Sequence, residues 1–415
     1  MPNLIRVISA AAIVLSIIIN ATGQSKTDAN QSPVRIIDSP AGPASGEPNL
    51  FAASDGRIYL SWIEKTDAHH HALRFSILDG TRWTEPRAIA EGDNWFVNWA
   101  DFPSLIALPG GVLAAHWLVK NGANAHGYDI QMAFSKDGGK TWSKPITPHR
   151  DGTPTEHGFV SMLPMANGRV AAFWLDGRKF KSQANEHESH ESLANEMTLR
   201  YAIVDSNGQL SEEAELDARV CDCCQTSAAL TADGPVVVYR DRSEKEIRDI
   251  SIIRREKGSW SRFQAISADN WRIEGCPVNG PSVAAEGRRV AVAWFTATDN
   301  KPRVNVAFSK DAGANFSKPV QVDEGSPMGR VQTLLLSDGS AIICWLERME
   351  KTAVIKARRV RADGTRDASI TIAETTAARA SGFPRMAKRS DELVFAWTEA
   401  GEPSRVRVAA MKISK

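Results

Sequence analysis

Four cysteines occur in a pattern that suits either disulfide or metal chemistry. They are Cys221, Cys223, Cys224 and Cys276. In an exported chain, four cysteines commonly form two disulfides, although the side chains of the adjacent Cys223 and Cys224 diverge if the chain is extended. The alternative interpretation is a thiolate site for Zn²⁺ or Cu⁺, with His157 as a further ligand. A redox-active pair is the third interpretation, and all three remain open at this point.

Charged and polar residues of the predicted loops form a second set of candidates. Two carboxylates at a suitable separation can cleave a glycosidic bond, and the sequence offers Glu156 and Asp241 for these catalytic roles, with Asp101 as another acid/base candidate. Guanidinium groups bind carboxylates and phosphates through a fork of donors. The predicted substrate-binding residues are His157, Arg240, Arg242, Asn279, Arg330 and Arg385. We therefore expect an anionic small molecule or glycan as the partner.

A repeat of short apolar segments predicts the elements that position these loops. A strand with an aromatic residue near its end recurs about every 50–65 residues, a period typical of β-propeller blades. The recurring aromatic residues are Trp62, Trp117, Trp174, Tyr239, Trp294, Trp345 and Trp397. The sequence therefore predicts an all-β fold, a single β-propeller of four-stranded blades. The count gives seven blades, with six as the alternative.

The last repeat unit lacks its fourth strand. The chain ends soon after the predicted third strand, Val406–Met411, whereas the segment Val34–Ile37 belongs to no other unit. Pairing the two segments would remove a free sheet edge. We expect this N-terminal strand to close the ring.

A turn motif of two repeat units suggests a family. Ser135–Trp142 and Ser309–Phe316 both follow the pattern S-x-D-x-G-x-x-W/F. Ser and Asp side chains can bond the backbone of such a turn, and Gly permits a positive φ. The pattern resembles the Asp-box of the sialidase-like (BNR-repeat) propellers, and the resemblance extends over nearly all of the chain after residue 32. It implies a propeller fold and a site at the mouth of the ring, on the face opposite these turns.

Two features depart from the sialidases of that family. Those enzymes have six blades, and an Arg-Ile-Pro motif opens their first blade, whereas Glu47–Leu50 occupies the matching place here. The resemblance also implies a tyrosine nucleophile in a late blade, but the four tyrosines lie at Tyr59, Tyr128, Tyr201 and Tyr239. These departures predict weak or absent release of sialic acid.

Composition and the N-terminal segment bear on the compartment and the partners. The chain has 415 residues with a formal net charge of +1, which argues against nucleic-acid binding. Residues 1–23 have the pattern of a signal peptide, with an apolar run too short for a comfortable membrane span. We predict a flexible lead-in at 24–32, a propeller at 33–415, a periplasmic or secreted location, and no stable membrane span after cleavage.

Two functions follow from these observations. The first is an exported exo-glycosidase that acts on an anionic glycan at the ring mouth. The second is a non-hydrolytic propeller with a disulfide-stabilised or metal-binding ligand site at the cysteines. No cofactor is certain, and Zn²⁺ or Cu⁺ is the metal expected if the cysteines bind one.

Overall fold

The fold is an all-β propeller of seven antiparallel blades, as the repeat predicted. The computed structural model describes residues 34–122, 127–180 and 196–413. The predicted signal peptide (1–23) and lead-in (24–32) lie outside the described residues. No helix in the described part of the chain has the length and apolar character needed to cross a bilayer.

The first three blades follow one another along the chain. Their strands are β2 (Ser45–Ala52), β3 (Ile58–Lys65), β4 (His71–Asp79), β5 (Arg82–Trp83), β6 (Arg87–Gly92), β7 (Ser104–Ala107), β8 (Leu113–Lys120), β9 (Tyr128–Ser135), β10 (His157–Met165), β11 (Arg169–Asp176), β12 (Met197–Val204) and β13 (Leu210–Val220). In the first blade, β5 and β6 both pair with β4. The second blade has three strands, and an isolated bridge between Met132 and Ile146 stands in its fourth place.

The remaining blades complete the ring. Their strands are β14 (Ser227–Thr231), β15 (Gly234–Arg240), β16 (Ile250–Glu256), β17 (Ser259–Trp260), β18 (Gln264–Ala265), β19 (Ser282–Glu286), β20 (Arg289–Thr296), β21 (Arg303–Ser309), β22 (Val320–Gln321), β23 (Pro327–Leu335), β24 (Ala341–Arg348), β25 (Ala353–Val360), β26 (Ile370–Thr375), β27 (Arg385–Arg389), β28 (Glu392–Glu399) and β29 (Arg405–Lys412). Three single-turn 3-10 helices lie at Ala166–Gly168, Thr298–Asn300 and Arg379–Ser381.

The N-terminal strand closes the ring, which confirms the prediction. Strand β1 (Arg35–Ile37) pairs antiparallel with β29, and Arg35 lies opposite Ala410. The seventh blade is therefore built from both ends of the propeller, in the order β1-β29-β28-β27.

The hydrophobic core lies between neighbouring blades. The second strand of each blade is apolar on both faces, because another blade packs against each of them. Trp62, Trp174, Trp294 and Trp345 are almost completely buried there. One cluster, for example, joins Phe75 of the first blade to Trp117 of the second. This packing fixes the seven inner strands around a common axis.

The two motif turns fold alike on one face of the ring. Ser135 Oγ donates to Asp137 Oδ1 at 2.8 Å and accepts the amide of Gly139 at 2.7 Å. Ser309 makes the equivalent bonds to Asp311 and Gly313 in the fifth blade. Because these turns follow the third strands, the loops that enter each blade lie on the opposite face.

Candidate functional site

The inner strands of all seven blades surround an axial cavity of about 480 Å³. Among its lining residues, each blade contributes one at an equivalent position. This residue pairs with the residue just before the recurring aromatic residue of the second strand. We call these residues the axial ring: Asn49, Ser104, Ser161, Ser227, Ser282, Gln332 and Arg385. Six members are neutral and polar, and one is a cation.

Arg385 is the charged member of the axial ring. Its guanidinium lies over the Phe102 ring, 4.9 Å from the centroid. Its Nε is buried without a hydrogen-bond partner, and among the described residues no carboxylate forms an ion pair with it. Burial lowers the pKa of Arg385 to about 10, so the group is still a cation at neutral pH. Thr333 Oγ1, also in the cavity wall, is a second buried polar atom without a partner. The cavity therefore offers an uncompensated positive charge to a ligand.

Asp101 lines the loop end of this cavity and belongs to a group of acids with Glu156 and Asp222. Asp101 is 3% exposed and accepts hydrogen bonds from Tyr128 Oη at 3.0 Å and from the Phe159 amide at 2.8 Å. Burial raises its pKa to about 7. Glu156 precedes β10, and burial, followed by the charges of Asp222 and Asp101, raises its pKa to about 8. Glu156 is therefore mostly protonated at neutral pH, as a proton donor must be.

The predicted catalytic partner of Glu156, Asp241, follows β15 of the fourth blade. Asp241 accepts a bond from its neighbour Arg242 N at 2.7 Å, and burial, followed by the charge of Asp217, raises its pKa to about 6. The carboxylates that act on Glu156 are Asp222 and Asp101. The acids whose charges raise the pKa of Glu156 therefore come from the second and fourth blade entries, and Asp241 is not among them.

Arg240, predicted to bind substrate, holds the mouth loops together. Its Nε and Nη2 donate to the carbonyl of Asn279, at 3.1 and 2.8 Å, and its Nη1 donates to the carbonyl of Arg248 at 2.6 Å. Nη2 also reaches the Phe295 carbonyl, and the guanidinium lies over Trp271, 4.9 Å from the ring centroid. With 1% of the residue exposed, these donors are engaged by the fold.

Arg330 and Asn279, like Arg240, connect the loops of the mouth to one another. Arg330 Nη1 donates to Ser381 Oγ and to the Gly382 carbonyl at 2.7 and 2.9 Å, and its guanidinium lies over Trp99 at 4.6 Å. Asn279 Oδ1 accepts the Arg330 amide at 2.7 Å. Both side chains tie neighbouring blade entries together, a role that their residue types alone do not reveal.

Arg242 pairs with Glu246, Nη2 to Oε1, at 2.9 Å. Of the four arginines predicted to bind substrate, Arg385 is therefore the one whose guanidinium makes no hydrogen bond or ion pair among the described residues.

His157 lies in a separate buried cluster. Its ring stacks on His149 with centroids 3.7 Å apart and planes at 1°, and its Nε2 lies 3.2 Å from Asp151 Oδ2. Asp129 and Asp176 complete the cluster. Within the described residues, no group of metal-ligating atoms closer than 4.8 Å combines His157 with a cysteine. The prediction of His157 as a further ligand of the cysteine site was wrong, because β10 directs this side chain toward the third-blade cluster.

The structure brings together Cys221, Cys223, Cys224 and Cys276, which we call the mouth cysteines. Cys221 Sγ lies 3.8 Å from Cys223 Sγ and 3.6 Å from Cys224 Sγ. Cys276 Sγ lies within 4.8 Å of Cys223 Sγ and 3.3 Å from Asp222 Oδ1. All five cysteines are free thiols, and Cys344 lies apart in β24. No disulfide joins these residues in this structure, where Cys221 contacts two sulfurs at once.

Sequence reasoning missed three residues of the site. Tyr128 begins β9, and no local pattern marks it as a site residue. Asp222 lies between two of the cysteines, and Arg248 lies in the loop between β15 and β16 of the fourth blade. Arg248 Nη1 donates to Cys221 Sγ at 3.3 Å and lies 3.6 Å from Asp222 Oδ1. The alternation of Cys and Asp in the fourth-blade entry was the one signal that could have revealed Asp222.

Several solved structures resemble this chain in fold. The chain matches a Dyadobacter fermentans protein of unknown function with a TM-score of 0.52 and 16% identity, over 92% of this chain and 98% of the other. It matches the polysaccharide lyase Uly1 with a TM-score of 0.52 and 9% identity, over 89% and 90%. It matches the phage phi92 endosialidase with a TM-score of 0.50 and 10% identity, over 93% and 70%.

No protein-family model matches the chain, and no curated protein matches it in sequence. The structural matches have low sequence identity to this chain and therefore support a conclusion about the fold alone. The chain thus shares its β-propeller fold with a polysaccharide lyase and an endosialidase, and the sialidase-like resemblance of its turn motif holds at the level of fold.

Proposed function

We propose that the protein is an exported propeller that binds an anionic glycan in its axial cavity and cleaves it at the mouth. The observation behind the proposal is the axial ring, in which Arg385 alone is charged and has no partner among the described residues. A carboxylate or sulfate group would supply the missing counter-charge. The volume of about 480 Å³ falls in the usual range of ligand pockets, about 300–1,000 Å³.

The proposed chemistry uses the acids at the loop end of the cavity. Glu156 donates a proton to the oxygen of the leaving group, because its carboxyl is neutral at neutral pH. Asp222 is the neighbouring carboxylate that would activate water or stabilise the developing positive charge on the sugar. Asp241, our candidate from sequence, is replaced in this role because its acidic neighbours are Asp217 and Asp249.

An exo mode of attack fits the position of the cavity. A cavity on the axis of a ring admits the end of a chain more readily than its middle. Sialic acid is a poor candidate for the sugar, because the nearest tyrosine to the acids, Tyr128, is buried and hydrogen-bonded to Asp101 rather than free for attack. Uronic acids are the better candidates for the anionic unit.

Export is part of the same proposal. The substrate of such a protein lies outside the cytoplasm, and residues 1–23 are the proposed signal peptide. Sequencing of the mature N-terminus after expression with this segment should begin at Gln24. A chain that still begins at Met1 after fractionation would contradict export by cleavage.

The test is a reducing-end assay on a panel of oligosaccharides, both uronate-containing and neutral. We expect product release from an anionic member and a loss of at least about 100-fold in Glu156→Gln, since general acid catalysis contributes about 10²–10⁴-fold. The matched control is Glu286→Gln, at the exposed end of β19 away from the mouth, which should keep full activity. Turnover that survives Glu156→Gln would reject the proposed acid.

A binding role without cleavage is the second candidate function. The observation that favours it is the cysteine cluster beside Asp222, since free thiols within 4 Å of one another are not part of glycoside hydrolysis. Binding of an anionic oligosaccharide with no product after long incubation would select this candidate.

A further inference from the structure

The mouth cysteines form a compact, mostly buried group of sulfur atoms. Cys221 and Cys224 are each 1% exposed, Cys223 is half-buried, and Cys276 is exposed at the rim. The first three come from a single four-residue stretch at the entry to the fourth blade, and Cys276 comes from the entry to the fifth. One site is therefore built from two loops that the ring holds side by side.

The distances between these sulfur atoms suit a shared metal ion. With Zn–S bonds of about 2.3 Å, the S···S edge of a tetrahedral thiolate site is about 3.8 Å. The Cys221–Cys223 and Cys221–Cys224 distances are 3.8 and 3.6 Å. A disulfide needs sulfurs about 2.05 Å apart, and Cys221 could join only one of its two neighbours.

The two buried sulfurs, those of Cys221 and Cys224, accept hydrogen bonds that stabilise negative charge. The guanidinium of Arg248 donates to Cys221 Sγ at 3.3 Å, and the amide of Asn279 donates to Cys224 Sγ at 3.4 Å. Arg248 is itself held by Glu246, Nη2 to Oε2, at 2.9 Å. Donors of this kind around thiolates fix the ligands and tune the bound metal.

The position of the fourth cysteine gives the site an accessible side. Cys276 lies within 4.8 Å of Cys223 and Asp222 and is exposed, whereas Cys221 and Cys224 are buried and Cys223 is half-buried. Three fixed ligands and one at the rim would allow an ion to enter from solvent.

We infer that Cys221, Cys223, Cys224 and Cys276 bind a thiophilic metal ion, Zn²⁺ or Cu⁺. On binding, the thiols release their protons to solvent, and the thiolates donate electron pairs to the ion without a change in oxidation state. Soft thiolate ligands select these two ions from those that prefer oxygen. The inference does not depend on the glycan proposal, since no residue of the axial ring takes part.

The first experiment counts thiols in the purified, denatured chain without reductant. The chain has five cysteines, so full reduction gives five reactive thiols, one disulfide gives three (5 − 2) and two disulfides give one (5 − 4). The inference requires five. A count of one or three would overturn it in favour of disulfides.

The second experiment titrates the reduced chain separately with Zn²⁺ and with Cu⁺ against a chromophoric chelator. We expect one equivalent of at least one of these ions to be retained. Cys223→Ser should weaken binding by at least about 100-fold, since the loss of even an outer-shell partner costs about 10–100-fold. Cys276→Ser, at the exposed rim, should weaken it by a smaller factor.

The matched control is Cys344→Ala, a change in the buried thiol of β24. Alanine already occupies the equivalent position of the fifth and seventh blades, at Ala293 and Ala396. The control should bind the metal like the wild type. Absence of binding in the reduced wild type, or equal binding by a folded Cys223→Ser chain, would overturn the inference.

Discussion

Substitution of Asp101 by Asn should change how stability depends on pH. The carboxyl is buried at the loop end of the axial cavity, and burial raises its pKa from 3.8 to about 7. Between these two values the folded state keeps a proton that the unfolded state has released. The free energy of unfolding therefore falls as pH rises through this window, and the contribution of Asp101 is complete only below the unfolded pKa.

The size of the effect follows from the two pKa values. A difference of about three pH units corresponds to about 4 kcal/mol, because one unit is 1.36 kcal/mol. Between pH 5 and pH 7 the wild type should lose about 2–3 kcal/mol through Asp101. Asn imitates the protonated carboxyl, can still accept the Phe159 amide bond, and does not titrate. The variant should therefore gain that amount relative to the wild type at the higher pH.

The assay is urea unfolding at pH 5 and pH 7, followed by tryptophan fluorescence. The control is Asp299→Asn in an exposed turn, which should keep the pH dependence of the wild type. Other titrating groups are common to all three chains, so the comparison isolates Asp101. An equal change in unfolding free energy for wild type and Asp101→Asn would refute the description of Asp101 as a buried acid with a raised pKa.

Two further predictions concern the ring itself. Deletion of residues 24–38 removes β1 and leaves β29 as an open edge. This chain should melt several degrees lower than a chain that lacks only residues 24–33. Equal melting temperatures of the two chains would contradict closure of the ring by β1. Gly280→Ala should lower the melting temperature, because its Cβ would lie 2.1 Å from the Gln225 carbonyl oxygen. Gly275→Ala has open space and should have little effect; similar melting of the two variants would contradict the close approach.

Much of the fold could be predicted from the sequence, because each blade repeats the same physical pattern. An apolar strand ending near Trp or Tyr predicts a layer buried on both faces, and the unpaired Val34–Ile37 segment predicts the closing strand. The motif at Ser135–Trp142 predicts which face carries the turns and, by exclusion, which face carries the mouth.

The site was predicted less well, because residue types do not show what a side chain bonds. Arg240 and Arg330 lie on the correct face, yet backbone carbonyls engage their guanidinium groups. Arg385 looks the same in the sequence and has no such partners among the described residues. The difference comes from loop conformations, which no local pattern encodes.

The carboxylates illustrate the same limit. Glu156 was one of two carboxylates that the sequence offered for catalysis, and burial, followed by the charges of Asp222 and Asp101, now gives a physical reason for its raised pKa. The sequence could not show which acids surround Glu156, because that depends on how the third and fourth blade entries pack together.

The central claim, that Arg385 receives an anionic ligand in the axial cavity, is tested most directly by calorimetric titration. The ligands are a uronate-containing disaccharide and its neutral analogue, and the chains are wild type, Arg385→Met and the control Arg82→Gln, an exposed position on β5. We expect wild type and control to prefer the anionic disaccharide. Arg385→Met should bind it about 10- to 100-fold more weakly, since a charged hydrogen bond contributes about 1.5–3 kcal/mol. Equal affinity of wild type and Arg385→Met for the anionic disaccharide, or no preference over the neutral one, would contradict the account.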